Sequence, residues 1–212
     1  MATKKGKTPN PEVSGSFRNQ VEESGSPLNL MVASPVYGIE PLLDQIYAML
    51  QGYGYRVWMS HKGTVPTNPT MFNEGNCLGA VERCDLFLGI ITGRYGSGIF
   101  HNEVRHAVRC CKPRWFLAHH DVVVARHLLK QFRFDARGRR KRLRFRVTPV
   151  LESTKVIEIY ECAIQQDRPL DERQGNWVQE YFHNDDALRF VDAQFADAAR
   201  ILALLKTQKE ET

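Results

Sequence analysis

Cys84-Asp85-Leu86-Phe87-Leu88-Gly89-Ile90-Ile91-Thr92-Gly93-Arg94-Tyr95-Gly96-Ser97-Gly98, followed at once by Ile99-Phe100-His101-Asn102-Glu103-Val104-Arg105-His106-Ala107, reads as a strand, a glycine-rich turn and a helix. The apolar run Leu86 to Ile91 has the length of a parallel strand covered on both faces. Gly93, Gly96 and Gly98 allow a tight turn whose backbone can approach a ligand closely. In an open α/β sheet, ligands bind beyond the carboxyl ends of the strands, where unpaired helix N–H groups face an anion or a polar sugar. The sequence therefore places a nucleotide or nucleoside at this turn and Glu103 at the rim of the crevice.

Outward from that segment the pattern repeats. Leu28 to Ala33 is a first buried strand, closed by Ser34-Pro35-Val36-Tyr37-Gly38. A helix follows from about Ile39 to Gln51, with Leu42, Leu43, Ile46, Tyr47 and Leu50 at helical spacing, and Tyr55 to Met59 is a second strand. Met71 to Arg83 is a helix leading into the third strand. After the helix of Glu103, Arg114 to Ala118 is a fourth strand, and from His119 the chain is helical again. Strict alternation of this kind requires crossover connections, hence a largely parallel sheet. The expected architecture is a flavodoxin-like or TIR-like open parallel sheet with helices on both faces over residues 28–150. Val147 to Val150 is read as one further strand. A C-terminal helical extension over 151–212 is expected, with amphipathic helices at Ser153–Gln165 and Asn184–Lys206 around Trp177, Tyr181, Phe182, Phe190 and Phe195.

With 212 residues, 42% of them hydrophobic, the chain holds one sizeable core and calls for no second large domain. Residues 1–27 are rich in Lys, Gly, Pro, Ser and Glu and poor in large apolar groups, which predicts a disordered tail. No apolar run approaches the ~20 residues that span a bilayer, and the amino terminus lacks a hydrophobic signal region. A soluble cytoplasmic protein without membrane partners is the expectation. Cys77, Cys84, Cys110, Cys111 and Cys162 form no Cys-x-x-Cys pair and read as reduced, mostly buried small hydrophobes.

The net charge of +5 is local in origin: Arg137-Gly-Arg-Arg-Lys-Arg-Leu-Arg-Phe-Arg146 holds seven positive charges and no acid, so the remainder is net acidic. Such density suits a nucleic acid or another acidic partner. It equally suits a solvated loop in which Leu143 and Phe145 mark a short strand. His101, His106, His119, His120 and Asp121 lie on different predicted elements without ligand spacing, so no metal site is assigned and no cofactor is called for.

The carboxyl ends of the strands gather Ser34, Tyr37, Ser60, His61, Arg94, Tyr95, Gly96, Ser97, Gly98 and Glu103 on one edge, with His119 a possible addition. Breaking a bond between a base and a ribose carbon develops oxocarbenium character, which a nearby carboxylate stabilises or captures covalently. Glu103 could fill either role. Gly96, Ser97 and Gly98 would offer backbone and hydroxyl groups to phosphate or ribose, Arg94 a charge-assisted clamp, and Tyr95 or Tyr37 an aromatic wall. The competing reading is structural: the helix dipole alone favours an acid near a helix start, Arg94 pins its loop and Tyr95 packs. Asp85, at the amino end of its strand and roughly 20 Å from the crevice edge, is assigned a structural role.

Val32-Ala33-Ser34, Gly54-Tyr55-Arg56-Val57, the Cys84–Gly98 segment, Glu103, Ala107 and Lys112-Pro113 together resemble a bacterial domain family of unknown function. That family is similar to TIR domains and nucleoside deoxyribosyltransferases. The resemblance covers roughly residues 28–130, and Glu172-Arg-Gln-Gly-Asn-Trp-Val178 is also family-like. It implies that Glu103 matches the deoxyribosyltransferase nucleophile or the TIR glutamate that supports cleavage of the nicotinamide–ribose bond of NAD. No second carboxylate stands between Thr92 and Gly98, which departs from the transferase pattern. The implied function is N-glycosidic cleavage in NAD or a related nucleotide by an anti-phage defence effector, with homo-oligomerisation possible. The alternative is a non-catalytic nucleotide-sensing or assembly module of the same fold.

Overall fold

The computed structural model describes residues 27–139, 141, 143 and 146–210, with backbone only for 206–210. Apart from Pro27, the tail expected over 1–27 lies outside the described residues, as do Arg140, Arg142, Arg144 and Phe145 of the basic segment. In chain order the elements are β1 (Asn29–Ala33), α1 (Glu40–Gly52), β2 (Arg56–Trp58), α2 (Asn73–Arg83), β3 (Leu86–Ile91), α3 (Ile99–Arg109), β4 (Arg114–His119), α4 (His120–Arg133), α5 (Lys155–Ala163), β5 (Val178–Tyr181), α6 (Asn184–Phe195) and α7 (Ala198–Glu210). Short 3-10 turns occupy Ser60–Lys62 and Leu170–Glu172.

All five strands are parallel in the order β2-β1-β3-β4-β5, the flavodoxin order, whose switch point lies between β1 and β3. Strand alternation divides the core into two layers. Leu30, Val32, Leu86, Leu88 and Ile90 face α1, α6 and α7, where Leu43, Ile46, Val191, Phe195 and Ile201 meet them. Met31, Phe87, Ile91 and Phe116 face α2, α3, α4 and α5, meeting Val81, Val104, Val122 and Ile157. All six residues of β3 are buried, as expected of a central parallel strand.

At the amino edge, the Asp85 carboxylate accepts the main-chain N–H of Asn29 at 2.8 Å and its side-chain amide at 3.2 Å, clasping β1 to β3. The structural reading of Asp85 is thereby given a geometry.

Three expectations are corrected. Val147–Val150 forms no strand, since this stretch turns back on itself with Thr148 and Leu151 exchanging hydrogen bonds. The fifth strand is Val178–Tyr181, so residues beyond 150 are not a helical appendage but complete the sheet against β4. The helix expected over Asn184–Lys206 is two helices, because the Asp197 carboxylate accepts the Arg200 N–H at 2.9 Å and caps α7. Tyr181 and Phe195 are core residues, whereas Trp177 and Phe182 are exposed.

Candidate functional site

Strands β1 and β3 end side by side, so Ser34 leaves the sheet next to the turn that begins at Thr92. Gly98, at φ 83°, is the residue preceding α3, and the Ser97 hydroxyl accepts the Ile99 N–H at 3.4 Å. Arg94 and Ser97 are exposed, Ser34 is half-buried and Tyr37 stands almost free. Among the described residues no hydrogen bond, ion pair or ring contact joins Ser34 or Tyr37 to the turn. The structure thus sets these two on the neighbouring loop without linking them to Arg94–Gly98.

Two of the turn's main-chain donors are already engaged by a carboxylate. Glu152 accepts the N–H groups of Tyr95 at 2.7 Å and Gly96 at 3.3 Å, which hold its carboxyl below the usual carboxylate range. Its own N–H donates to the Gly93 carbonyl at 2.8 Å. The strap Thr148–Glu152 runs so close that a Cβ on Gly93 would lie 2.0 Å from the Val150 carbonyl oxygen, which is why glycine stands there. Of the backbone donors expected for phosphate or ribose at Gly96, Ser97 and Gly98, the Gly96 N–H is therefore taken by a carboxylate of the same chain.

Glu103 departs from expectation in position. It occupies the fifth residue of α3 and is only 4% exposed, beneath the edge rather than on its rim, because α2 packs against this face of α3. Burial pushes its carboxyl up to about 7, opposed by a hydrogen bond from the Cys77 thiol. Burial, and next the charge of Glu103, push Cys77 up to about 12, so it serves as a neutral donor. Ser60, just beyond β2, lies 3.9 Å from the Cys77 sulfur. Ser60, Cys77 and Glu103 thus form a chain from the strand edge into the α2–α3 contact. A carboxyl near 7 populates both protonation forms at neutral pH and can act as acid, base or charge stabiliser.

On the other side of α3, His101 Nδ1 lies 3.2 Å from the Tyr95 hydroxyl, and the buried Nε2 has no hydrogen-bond partner. Burial, with repulsion from Arg105 and Lys155, pulls its pKa down to about 4, so the imidazole is neutral. Tyr95 packs edge-on against it and carries the Lys155 ammonium 5.2 Å from its ring. His119 also lies at the carboxyl edge, as the last residue of β4, but packs toward β5 against Tyr181 and Phe182.

Sequence reasoning missed Glu152, which no local signal links to a turn 56 residues away, and it read Cys77 only as a buried hydrophobe. Among the described residues no group of three or more His, Cys, Asp or Glu is placed to hold a metal ion, and no helix is long and apolar enough to cross a membrane.

A search of curated proteins found no match. A solved structure, that of a conserved protein from Enterococcus faecalis V583, is similar at a TM-score of 0.39 and 10% identity, over 80% of this chain and 99% of that one. The family model described as "Domain of unknown function (DUF4062)" matches residues 29–170, from the first residue of β1 through the strap and α5 to the second 3-10 turn. Most of the chain, including every residue of the glycine turn, Cys77, Glu103 and Glu152, falls within that match, and the chain belongs to the DUF4062 family.

Proposed function

We propose that the protein binds a nucleotide or nucleoside at the carboxyl edge between β1 and β3 and cleaves its N-glycosidic bond, with NAD or a related nucleotide as substrate. The observation that carries this reading is the Glu103 carboxyl, buried on the helix that follows the glycine turn and pushed up to about 7. As the bond from the base nitrogen to the ribose C1′ breaks, its electron pair leaves with the base and positive charge grows on the sugar. Ionised Glu103 stabilises that charge or captures C1′ covalently, and water completes hydrolysis. The Cys77 thiol, donating to the carboxylate, holds it in place. Arg94 and Ser97, exposed on the turn, are the groups that reach phosphate or ribose. The resemblance to TIR domains and nucleoside deoxyribosyltransferases supports the bond class. It also supports an effector role in bacterial defence against phage, exerted by draining the nucleotide pool.

One observation favours a second reading, that of a non-catalytic nucleotide-sensing or assembly module: Glu152 occupies the Tyr95 and Gly96 N–H groups of the turn while Glu103 is covered. Incubating the purified protein with NAD, NADP and deoxynucleosides, with chromatographic detection of released base, separates the two. Release that Glu103→Gln abolishes in a folded protein supports the glycosidase. Nucleotide binding without release supports the module.

A further inference from the structure

The seven cations of Arg137–Arg146 have no part in the site described above, yet the chain that carries them is rooted in the fold. Helix α4 ends at Arg133, whose buried guanidinium donates twice to the Glu161 carboxylate of α5, at 2.5 and 2.9 Å. A hairpin starts from that root. Lys141 donates its N–H to the Arg133 carbonyl at 2.8 Å, and Asp135 donates its N–H to the Arg139 carbonyl at 2.9 Å. Gly138, at φ 74°, turns the chain between them. The Asp135 carboxylate accepts the N–H of Arg137 at 2.9 Å and both the N–H and the Nε of Arg139 at 2.8 Å.

No acid within the run offsets its charge. Asp135 and Glu152 are the acids that flank it, and each accepts hydrogen bonds from the chain itself, Asp135 in the hairpin and Glu152 on the glycine turn. Arg137, Arg139, Lys141 and Arg146 are exposed. Arg140, Arg142 and Arg144 lie outside the described residues and enter here only as charge in the sequence. Because the remainder of the chain is net acidic, a polyanion is drawn to this arm and to no other part of the molecule on that scale.

We propose that this arm docks on the phosphate backbone of a nucleic acid without reading its sequence. Even fully extended, at ~3.3 Å per residue, the run carries a positive charge every ~5 Å, comparable to the phosphate every ~3.4 Å of axis along one strand of a duplex. Six of its seven cations are arginine, whose planar fork takes two phosphate oxygens at once. Between Ala136 and Arg146 stands no Asn, Gln, Asp or Glu to pair with the edge of adenine or cytosine. The contacts are thereby left to phosphates, which position a strand without specifying it. This docking is independent of the chemistry assigned to Glu103.

Fluorescence anisotropy on the full chain tests this over a potassium chloride series, with labelled single-stranded RNA and duplex DNA, each in two unrelated sequences. The expected result is binding that weakens with salt, at a logarithmic slope of about −0.7 to −0.9 per phosphate neutralised. Arg137→Ser, Lys141→Ser and Arg146→Ser combined should lower affinity at least roughly tenfold and make the slope shallower by about two to three, at an unchanged melting temperature. Arg137→Lys with Arg146→Lys, which keeps the charge, should leave the slope as it was. No binding at low salt, or binding indifferent to the triple serine variant, overturns the proposal. Tighter binding to polyglutamate or to phosphatidylglycerol vesicles than to either nucleic acid also overturns it, and gives the arm an acidic protein or a membrane as partner. Affinities differing more than roughly tenfold between the two sequences overturn backbone docking.

Discussion

The Glu152 carboxylate accepts the main-chain N–H of Tyr95 at 2.7 Å, across 57 residues of sequence, and in doing so places an internal anion on the turn proposed above as the nucleotide site. Two consecutive N–H groups converging on one oxygen form an anion-binding concavity whichever carboxylate or phosphate fills it. The strap is thus both a structural tie and a competitor for the proposed site.

Glu152→Ala should therefore cost about 1–2 kcal/mol, a fall in melting temperature of several degrees, while tightening nucleotide binding. Calorimetric titration with NAD or AMP, paired with a melting curve, reads both. Affinity that falls together with stability would make the strap part of the binding surface instead of its competitor.

Gly93→Ala tests the strap from the other side. The added Cβ, 2.0 Å from the Val150 carbonyl oxygen, cannot fit unless the strap moves. A loss of about 2 kcal/mol is expected, with faster amide exchange at Tyr95 and Gly96. A variant with wild-type stability and exchange would show that Thr148–Glu152 yields without resistance.

Glu103 gives stability a pH dependence of definite sign. Its folded pKa near 7 lies above its ordinary value of 4.5, so between these the native state binds more protons than the unfolded chain. Its contribution is fullest below pH 4.5 and is lost as pH rises through 7, by up to about 3 kcal/mol. Glu103→Gln should abolish base release and, relative to wild type, gain stability progressively across that window. His101 runs the opposite way: its pKa, lowered to about 4, removes stability as pH falls below 6.5. The difference between variant and wild-type denaturation curves isolates Glu103 from it. A difference curve flat from pH 4.5 to 8 would mean that Glu103 titrates as an ordinary exposed carboxylate.

Asp85→Ala acts at the opposite edge. It strips partners from the N–H and amide of Asn29, a loss of about 1–3 kcal/mol, with nucleotide affinity unchanged. Loss of binding in a folded Asp85→Ala protein would place the ligand at the amino edge of the sheet.

β1, β3 and β4 were legible because each is a run of five or six largely apolar residues: β3 spans Leu86–Ile91, as its composition demands. β5 was not. Val178-Gln-Glu-Tyr181 is four residues of a half-exposed terminal strand with neither alternation nor a continuous apolar run, and only pairing with Phe116 to His119 makes it a strand. Val147–Val150 failed in the reverse sense, since apolar content says nothing about whether a neighbouring strand is free to pair.

For the site the division is the same. Local sequence was enough to place the glycine turn after β3 and Glu103 on the helix that follows, because both depend on residues adjacent in the chain. How Glu103 is protonated depends on burial against α2 and on the Cys77 thiol, and what fills the turn depends on Glu152, so both were decided only when distant segments packed. Desolvation and hydrogen bonding act through space, and no spacing along the chain encodes them.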